Sequence, residues 1–339
     1  MRKALFTLFV LAAIMAGGAF WYWQRANAAL NAPGPHDGAI AYTVRPGTSV
    51  RTVLAELEAQ GAIADREAIQ LVLRVRGSPQ IKSGKYEFVP HQSAADILRQ
   101  LAEGRVVLEA LTVVEGWTFA DMRRVIEAHP GIQQTLRGRD VAELMAAIGH
   151  AGQHPEGRFY PDTYRFAAGT SDRELYALAY RKMADTLAIA WNSRVPDLPI
   201  ENADEALTLA SIVEKETGVA SERPRIAGVF TTRLRKHMRL QTDPTVIYGI
   251  GPSYDGNIRE RDLRTDTPYN TYTREGLPPT PIALPSRESI EAATHPLETG
   301  DIFFVATGEG DGSHVFSATH EAHNAAVARY LARLKGNRR

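Results

Sequence analysis

The residue best placed for acid–base chemistry is Glu216, in the segment ALTLASIVEKET from Ala206 to Thr217. The segment has the periodicity of an α-helix, and Glu216 follows Ile212 and Val213 by four and three residues, where an apolar residue is expected. Burial among apolar groups favours the neutral form of a carboxyl group and raises its pKa. A glutamic acid of raised pKa can protonate a glycosidic oxygen, which makes Glu216 a candidate general acid.

A structural ion pair is the competing interpretation of Glu216. Arg223 or Arg233 could neutralise it, and such pairs also shift pKa values. The helix by itself favours the ion pair over catalysis. Glu214, two residues before Glu216, is predicted on the opposite, solvated side of the helix together with Ser211. The helix therefore offers one candidate acid, and the remaining chain has to decide its role.

Composition excludes several kinds of chemistry. The chain of 339 residues has no cysteine, which rules out disulfides, cysteine nucleophiles and cysteine-bound metals. It has 39 basic and 39 acidic residues, and this balance argues against a nucleic-acid partner, which requires a basic patch. The length is sufficient for two domains that each bury a core.

Three histidines near the carboxyl end raise the hypothesis of a metalloenzyme. His320 and His323 lie three residues apart on a predicted helix and, with His314, could share a metal ion. No acidic residue completes a recognised zinc motif around them. Surface or helix-capping roles are the preferred interpretation, and we expect neither a metal nor another cofactor.

The amino terminus has the pattern of a membrane anchor. Residues 4–23 carry no charge, and a helix of about 20 apolar residues spans a bilayer. The basic residues within 1–3 predict a cytoplasmic tip, with the bulk of the chain on the outer, periplasmic side. A cleaved signal peptide is the alternative because Ala26 to Ala28 fits a cleavage site, but the long run with its aromatic end favours an uncleaved, single-pass helix. Residues 24–40 are predicted to be a linker.

Residues 41–107 are predicted to form a small domain of β-α-α-β order. A strand at Ala41 to Val44 precedes two amphipathic helices, and Lys85 to Val89 returns as the second strand. This order and the string YTVRPGTSV resemble the LysM peptidoglycan-binding module. The resemblance implies sugar binding, and a domain that only positions its neighbour is the alternative.

Residues 108–335 are predicted to form the larger domain of an α+β protein. The strings EGRFYPDTY at 156–164, RLQTDPTVIYG at 239–249 and YNTY at 269–272 concentrate amides, hydroxyls and phenols in predicted loops. Such groups meet the hydrogen-bonding needs of a polysaccharide cleft, although each string alone is also ordinary turn chemistry.

Taken together, these strings are similar to those of one enzyme family. ASIVEKET, SERPRIAGVF, RLQTDPTVIYG, and YNTY followed by GLPPTPIA resemble the YceG-like (MltG) endolytic murein transglycosylases, and EGRFYPDTY is similar to the same family. The resemblance runs from the apolar amino terminus almost to the carboxyl end. It implies a single-pass protein of the bacterial inner membrane, with a LysM-like domain followed by a lytic transglycosylase domain related to lysozyme.

The resemblance also implies roles for particular residues. The second glutamate of the EKE string is the catalytic residue of the family, and here it is Glu216, the residue that the helical pattern selects independently. The cleft motifs of the family imply substrate binding by Gln241, Thr242, Asp243, Asn270 and Tyr272, and Ser211 and Tyr248 complete the candidate set.

The implied reaction cleaves the β-1,4 bond between N-acetylmuramic acid and N-acetylglucosamine without water. Glu216 first protonates the leaving oxygen and then, as a carboxylate, removes the proton of the muramic 6-hydroxyl while a 1,6-anhydro ring closes. One carboxylate suffices, unlike the pair in most glycoside hydrolases. Lysozyme-like hydrolysis with Asp243 opposite Glu216 and a non-catalytic wall-binding scaffold are the alternatives.

The anchor carries an implication of its own. A membrane-tied enzyme that cuts within strands reaches only peptidoglycan near the membrane, where new glycan emerges. We therefore expect it to end the elongation of nascent strands. The family resemblance implies penicillin-binding peptidoglycan synthases as partners.

Overall fold

The computed structural model describes residues 2–336, and the chain divides into two compact units. The first unit extends to Glu109 and also takes in Arg165–Thr170. The second comprises Ala110–Tyr164 and continues from Ser171. Helices and short strands are mixed along the chain, which confirms the predicted α+β class.

The first unit packs helices against a two-stranded sheet. Its elements are α1 (Arg2–Asn31), β1 (Ile40–Val44), α2 (Val50–Ala59), α3 (Arg66–Arg76), β2 (Gly84–Phe88) and α4 (Ala94–Glu103). β1 and β2 are antiparallel, with Ile40 opposite Phe88 and Val44 opposite Gly84. The order β1-α2-α3-β2 is the predicted one, and side chains from both strands and all four helices share one hydrophobic core.

α1 is longer than the predicted anchor. It is apolar enough from Leu5 to Asn31 to cross a bilayer, but it continues as helix through residues that the sequence analysis assigned to the linker 24–40. Its last turns belong to the core of the first unit, since Ala26 is 0% and Leu30 is 6% exposed. The linker prediction is therefore wrong for residues 24–31, because apolar residues four apart, here Ala26 and Leu30, lie on one face of a helix and can pack into a core.

The second unit is mostly helical. The elements from β3 onward are β3 (Leu108–Thr112), α5 (Phe119–Ala128), α6 (Val141–Ala147), β4 (Thr163–Ala167), α7 (Asp172–Asn192), α8 (Ala203–Glu216), α9 (Arg223–Arg235), α10 (Asp243–Ile250), α11 (Glu260–Arg264), α12 (Arg287–Thr294), β5 (Phe303–Ala306), β6 (His314–Ser317) and α13 (His320–Gly336). β5 and β6 form an antiparallel hairpin.

The two units do not coincide with the predicted domains 41–107 and 108–335. The first unit also contains α1, the segment between α1 and β1, Leu108–Glu109 and Arg165–Thr170. β3 pairs with β4, which includes part of that last segment. Pairing between strands so distant in the sequence leaves no local pattern, so domain boundaries drawn from the sequence do not detect it.

α8, which carries Glu216, is the central helix of the second unit. It packs against α7, α9, α10 and α12, and every residue from Ala206 to Val213 is buried. A helix that is covered all round has no solvated side. The prediction that Ser211 and Glu214 face solvent is therefore wrong.

Candidate active site

Glu216 is the last residue of α8, and the backbone becomes extended at Thr217. Burial raises the pKa of Glu216 to about 7, against a lowering by the hydrogen bond from Thr242, and the charge of Asp243 adds to the rise while Arg233 opposes it. The Thr242 hydroxyl donates that hydrogen bond to Oε1. The carboxyl end of a helix also carries partial negative charge, which disfavours a carboxylate there. Glu216 is thus an acid that exchanges its proton near neutral pH.

Neither arginine considered as an ion-pair partner is paired with Glu216. The guanidinium of Arg223 lies 3.4 Å from Oε1 of Glu214. Arg233 donates to backbone carbonyl oxygens, including that of Leu240 at 2.8 Å. Within the part of the chain that the structure describes, Glu216 has no ion pair at 4.0 Å or less. The structural ion-pair interpretation therefore does not fit.

Glu214 connects two helices. Its side chain is only 6% exposed, and Oε2 accepts hydrogen bonds from the backbone N–H of Ser286 at 2.9 Å and from the hydroxyl of Ser289 at 2.7 Å. Ser286 is the N-cap of α12, where the helix dipole favours an anion. These contacts use Glu214 to join α8 to α12 and leave it no surface from which to act on a substrate.

Ser211 is also part of the core and does not line a cleft. It is fully buried, its Oγ accepts from the backbone N–H of Ile282 at 2.9 Å, and it donates to the carbonyl of Thr208 at 2.7 Å. The hydroxyl thus uses both its donor and an acceptor position in hydrogen bonds within the core. Its assignment as a substrate-binding residue is contradicted by this burial.

Three of the other candidates surround Glu216. Besides the Thr242 hydroxyl, the carboxylate of Asp243 acts on it electrostatically, and the phenol of Tyr272 donates to Oδ1 of Asp243 at 2.6 Å. Gln241 is exposed and has a left-handed backbone, with φ of 52°. That turn brings the chain into α10 with Thr242 directed at Glu216. The structure therefore assembles the RLQTDPT and YNTY strings around one acid.

Asn270 stabilises the loop that carries Tyr272 through buried hydrogen bonds. It is buried, its Nδ2 donates to the carbonyl oxygens of Asp262, Leu263 and Thr265, and its Oδ1 accepts from the backbone N–H of Tyr272 at 2.9 Å. All its hydrogen-bonding groups are occupied by backbone. Asn270 therefore positions Tyr272 instead of presenting its amide to a substrate.

Tyr248 leads to a second acid that the sequence analysis did not single out. Its hydroxyl donates to Oε2 of Glu156 at 3.1 Å, and Oε1 of Glu156 accepts from the backbone N–H of Phe119 at 2.8 Å. Glu156 is 4% exposed, and burial raises its pKa to about 7. The available signal was a glutamate that opens an otherwise aromatic turn, directly before a glycine.

The three histidines lie in two different settings. His314 shares a hydrogen bond with Glu222 at 2.7 Å. The rings of His320 and His323 contact the same ring, that of Phe303, at 6.0 Å and 4.8 Å between centroids. Among residues 2–336 there is no group of three His, Cys, Asp or Glu side chains that could hold a metal ion. The residues present thus offer acid–base chemistry and hydrogen bonding.

Comparison with known proteins identifies the family. The YceG-like family matches residues 42–329, so this chain belongs to the YceG-like family, as the strings predicted. The endolytic murein transglycosylase of Bacillus subtilis (strain 168) is 29% identical over 337 residues, which cover 94% of this chain and 91% of the relative. That of Streptococcus pneumoniae (strain ATCC BAA-255 / R6) is 25% identical, over 96% of this chain and 64% of the relative.

A solved structure supports the same fold. The crystal structure of a YceG-like protein from Listeria monocytogenes matches with a TM-score of 0.52 at 28% sequence identity. The match covers 85% of this chain and 99% of that one. The fold of this chain is therefore YceG-like over most of its length.

Proposed function

We propose that this chain is an endolytic murein transglycosylase, a lyase that cleaves the bond between N-acetylmuramic acid and N-acetylglucosamine inside peptidoglycan strands. The observation that carries the proposal is Glu216, a half-buried acid whose pKa is raised to about 7 by desolvation and which has no ion pair among the described residues. The relatives from Bacillus subtilis and Streptococcus pneumoniae, both named endolytic murein transglycosylase, support it.

In the proposed reaction one carboxyl group serves twice. The Thr242 hydroxyl donates to Oε1 of Glu216, so the acidic proton resides on Oε2. Oε2 gives this proton to the leaving oxygen of N-acetylglucosamine as the C1–O bond breaks, and the 2-acetamido oxygen of the muramic residue stabilises the positive charge at C1. The muramic O6 then bonds to C1 and returns its proton to Glu216. No water is consumed, and the enzyme regains its starting form.

Asp243 defines the second candidate, a lysozyme-like muramidase. It is an exposed carboxylate whose charge acts on Glu216, as a partner carboxylate would in a hydrolase. Its hydrogen bond from Tyr272 holds it at the start of α10. If it directed water to C1, the products would end in ordinary reducing muramic acid.

The deciding experiment is mass spectrometry of the products from purified glycan strands and the full-length protein in detergent. We expect 1,6-anhydromuramic ends from the parent, none from Glu216→Gln, and unchanged products from Glu260→Gln, an exposed control on α11. Reducing ends would replace the transglycosylase with the muramidase. If the parent protein bound glycan strands without cleaving them, the non-catalytic wall-binding scaffold would be the remaining alternative.

The proposal also assigns a domain type to each unit and a membrane location to α1. The order β1-α2-α3-β2 supports a LysM-like domain, and the helical second unit supports a lytic transglycosylase domain related to lysozyme. The apolar α1 supports a single-pass anchor in the bacterial inner membrane, with both units on the periplasmic side. There the enzyme cuts nascent strands and ends their elongation beside penicillin-binding synthases.

A further inference from the structure

A cavity of about 800 Å³ opens within the second unit. Its walls come from the first turn of α5, from α10 and from the segment that follows α10, and Lys215 and Glu156 contribute to its lining. The mechanism above uses none of these side chains. The cavity is large enough for a ligand much larger than a water molecule, in the range of small-molecule sites.

Two cavity-lining residues are direct sequence neighbours of residues in the candidate active site. Lys215, in its wall, is the residue before Glu216, and Pro244, also in its wall, follows Asp243. Ile247 lies one helical turn of about 5.4 Å beyond Asp243, on the same face of α10. A chain molecule bound across Glu216 and Asp243 can therefore extend into the cavity.

The walls combine aromatic surface with a few polar groups. The rings of Tyr248, Tyr254 and Tyr269 line the cavity, and Tyr248 and Tyr269 meet edge to face at 4.8 Å. Such rings pack against the C–H faces of a pyranose. The hydroxyl of Tyr248, fixed by its hydrogen bond to Glu156, and the Lys215 ammonium supply hydrogen bonds. Apolar walls with few convergent polar groups are typical of a specific ligand site.

We propose that this cavity is a sugar subsite that binds an N-acetylhexosamine residue of the glycan strand beside the bond that Glu216 cleaves. The acetamido methyl group lies against Ile247 and Pro244, and the pyranose face lies on the tyrosine rings. Glu156 is a positioning residue that holds the Tyr248 hydroxyl. Occupation of this subsite fixes how the strand sits and hence where it is cut. The inference rests on the proposed function.

A matched pair of variants on α5 tests the subsite. Ala120 lines the cavity and is exposed, so Ala120→Trp fills the cavity without disturbing the core. Ala128 is an exposed alanine at the other end of the same helix and lies outside the cavity lining, so Ala128→Trp is the control. Both are made in the full-length Glu216→Gln protein, and calorimetry measures binding of peptide-free glycan oligomers of increasing length.

We expect Ala120→Trp to weaken binding of the longer oligomers at least tenfold and to leave the shortest binding oligomer unaffected, while Ala128→Trp matches the parent. Equal affinities for the two variants at every length would overturn the subsite. If Ala120→Trp lowers the melting temperature, Tyr254→Ala replaces it, with the same loss expected for longer oligomers.

The products of the corresponding active proteins give an independent readout. With Glu216 intact, Ala120→Trp should change the length distribution of the cleaved strands, and Ala128→Trp should not. Failure of the parent to form 1,6-anhydro ends would refute the proposed function but not the binding result. Normal ends with identical length distributions in both variants would refute the subsite and leave the function standing.

Discussion

At the scale of single residues, the proposed cleavage depends on the fraction of Glu216 that carries a proton. Its pKa is raised to about 7 by burial, so the acid is protonated in mildly acidic solution and is lost as the pH rises through that value. We expect kcat/KM for glycan strands to fall about tenfold per pH unit well above the pKa, as for one essential acid. A profile from pH 5 to 9 that remains flat on its alkaline side would exclude Glu216 as the proton donor.

Thr242 should set the pH at which kcat/KM begins to fall, that is, the position of the alkaline limb of the pH profile. Its hydrogen bond favours the carboxylate and lowers the pKa of Glu216, so Thr242→Val should move the limb to higher pH by up to about one unit. Thr265→Val is the control, because that hydroxyl donates to the carbonyl of Arg261 within its own helical turn. A lower rate with an unmoved limb would instead mean that Thr242 contacts the substrate.

At the scale of the elements, Glu214 should matter for stability and Glu216 for chemistry. Glu214→Ala removes the acceptor for Ser286 and Ser289 and leaves Arg223 buried without its charge partner. We expect the free energy of unfolding to fall by about 3–5 kcal/mol, as when half of a buried ion pair is deleted. Denaturant unfolding measures this loss. Equal unfolding midpoints for Glu214→Ala and the parent would show that the α8–α12 connection is not needed for folding.

Gly157 is required where the aromatic turn approaches another loop. Its φ is +78°, and a Cβ there would lie 2.5 Å from Cβ of Pro281. Gly138 has nearly the same φ of +76° but nothing within 4 Å of a Cβ. Both alanine variants carry the left-handed strain of about 1–2 kcal/mol, and Gly157→Ala adds a packing clash of about 1–3 kcal/mol. Thermal unfolding of the pair should therefore separate them, and equal losses would exclude the clash.

The helical pattern predicted the apolar surroundings of Glu216 but failed for its neighbours. Periodicity identified an acid in an apolar setting, and the raised pKa agrees. The same pattern failed for Ser211 and Glu214, because α8 is covered on all sides and spacing then no longer separates an inner from an outer face. It could not show that Asn270 bonds inward, nor that Glu156 is buried, because both depend on chain segments far away in sequence.

At the scale of the whole molecule, the apolar run proposed as the anchor and the helical turns that pack into the first unit belong to one continuous helix, α1. Ala26 is fully buried in the core of the first unit, and it lies only three residues after Trp23, the end of the uncharged run. At 1.5 Å per residue that is roughly 5 Å of helix axis. If residues 4–23 span the bilayer, the first unit has no slack linker and is held close to the membrane surface, where nascent strands emerge.

This continuity predicts that the last turns of α1 stabilise the first unit independently of the membrane. Ala26 and Leu30 fill its core, and the Oδ1 of Asn27 accepts from Arg76 of α3 at 2.6 Å. A soluble protein that starts at residue 24 should therefore protect the backbone amides of α3 from hydrogen exchange at least tenfold better than one that starts at residue 32. Equal protection would mean that residues 24–31 only connect the span to a unit that is stable without them.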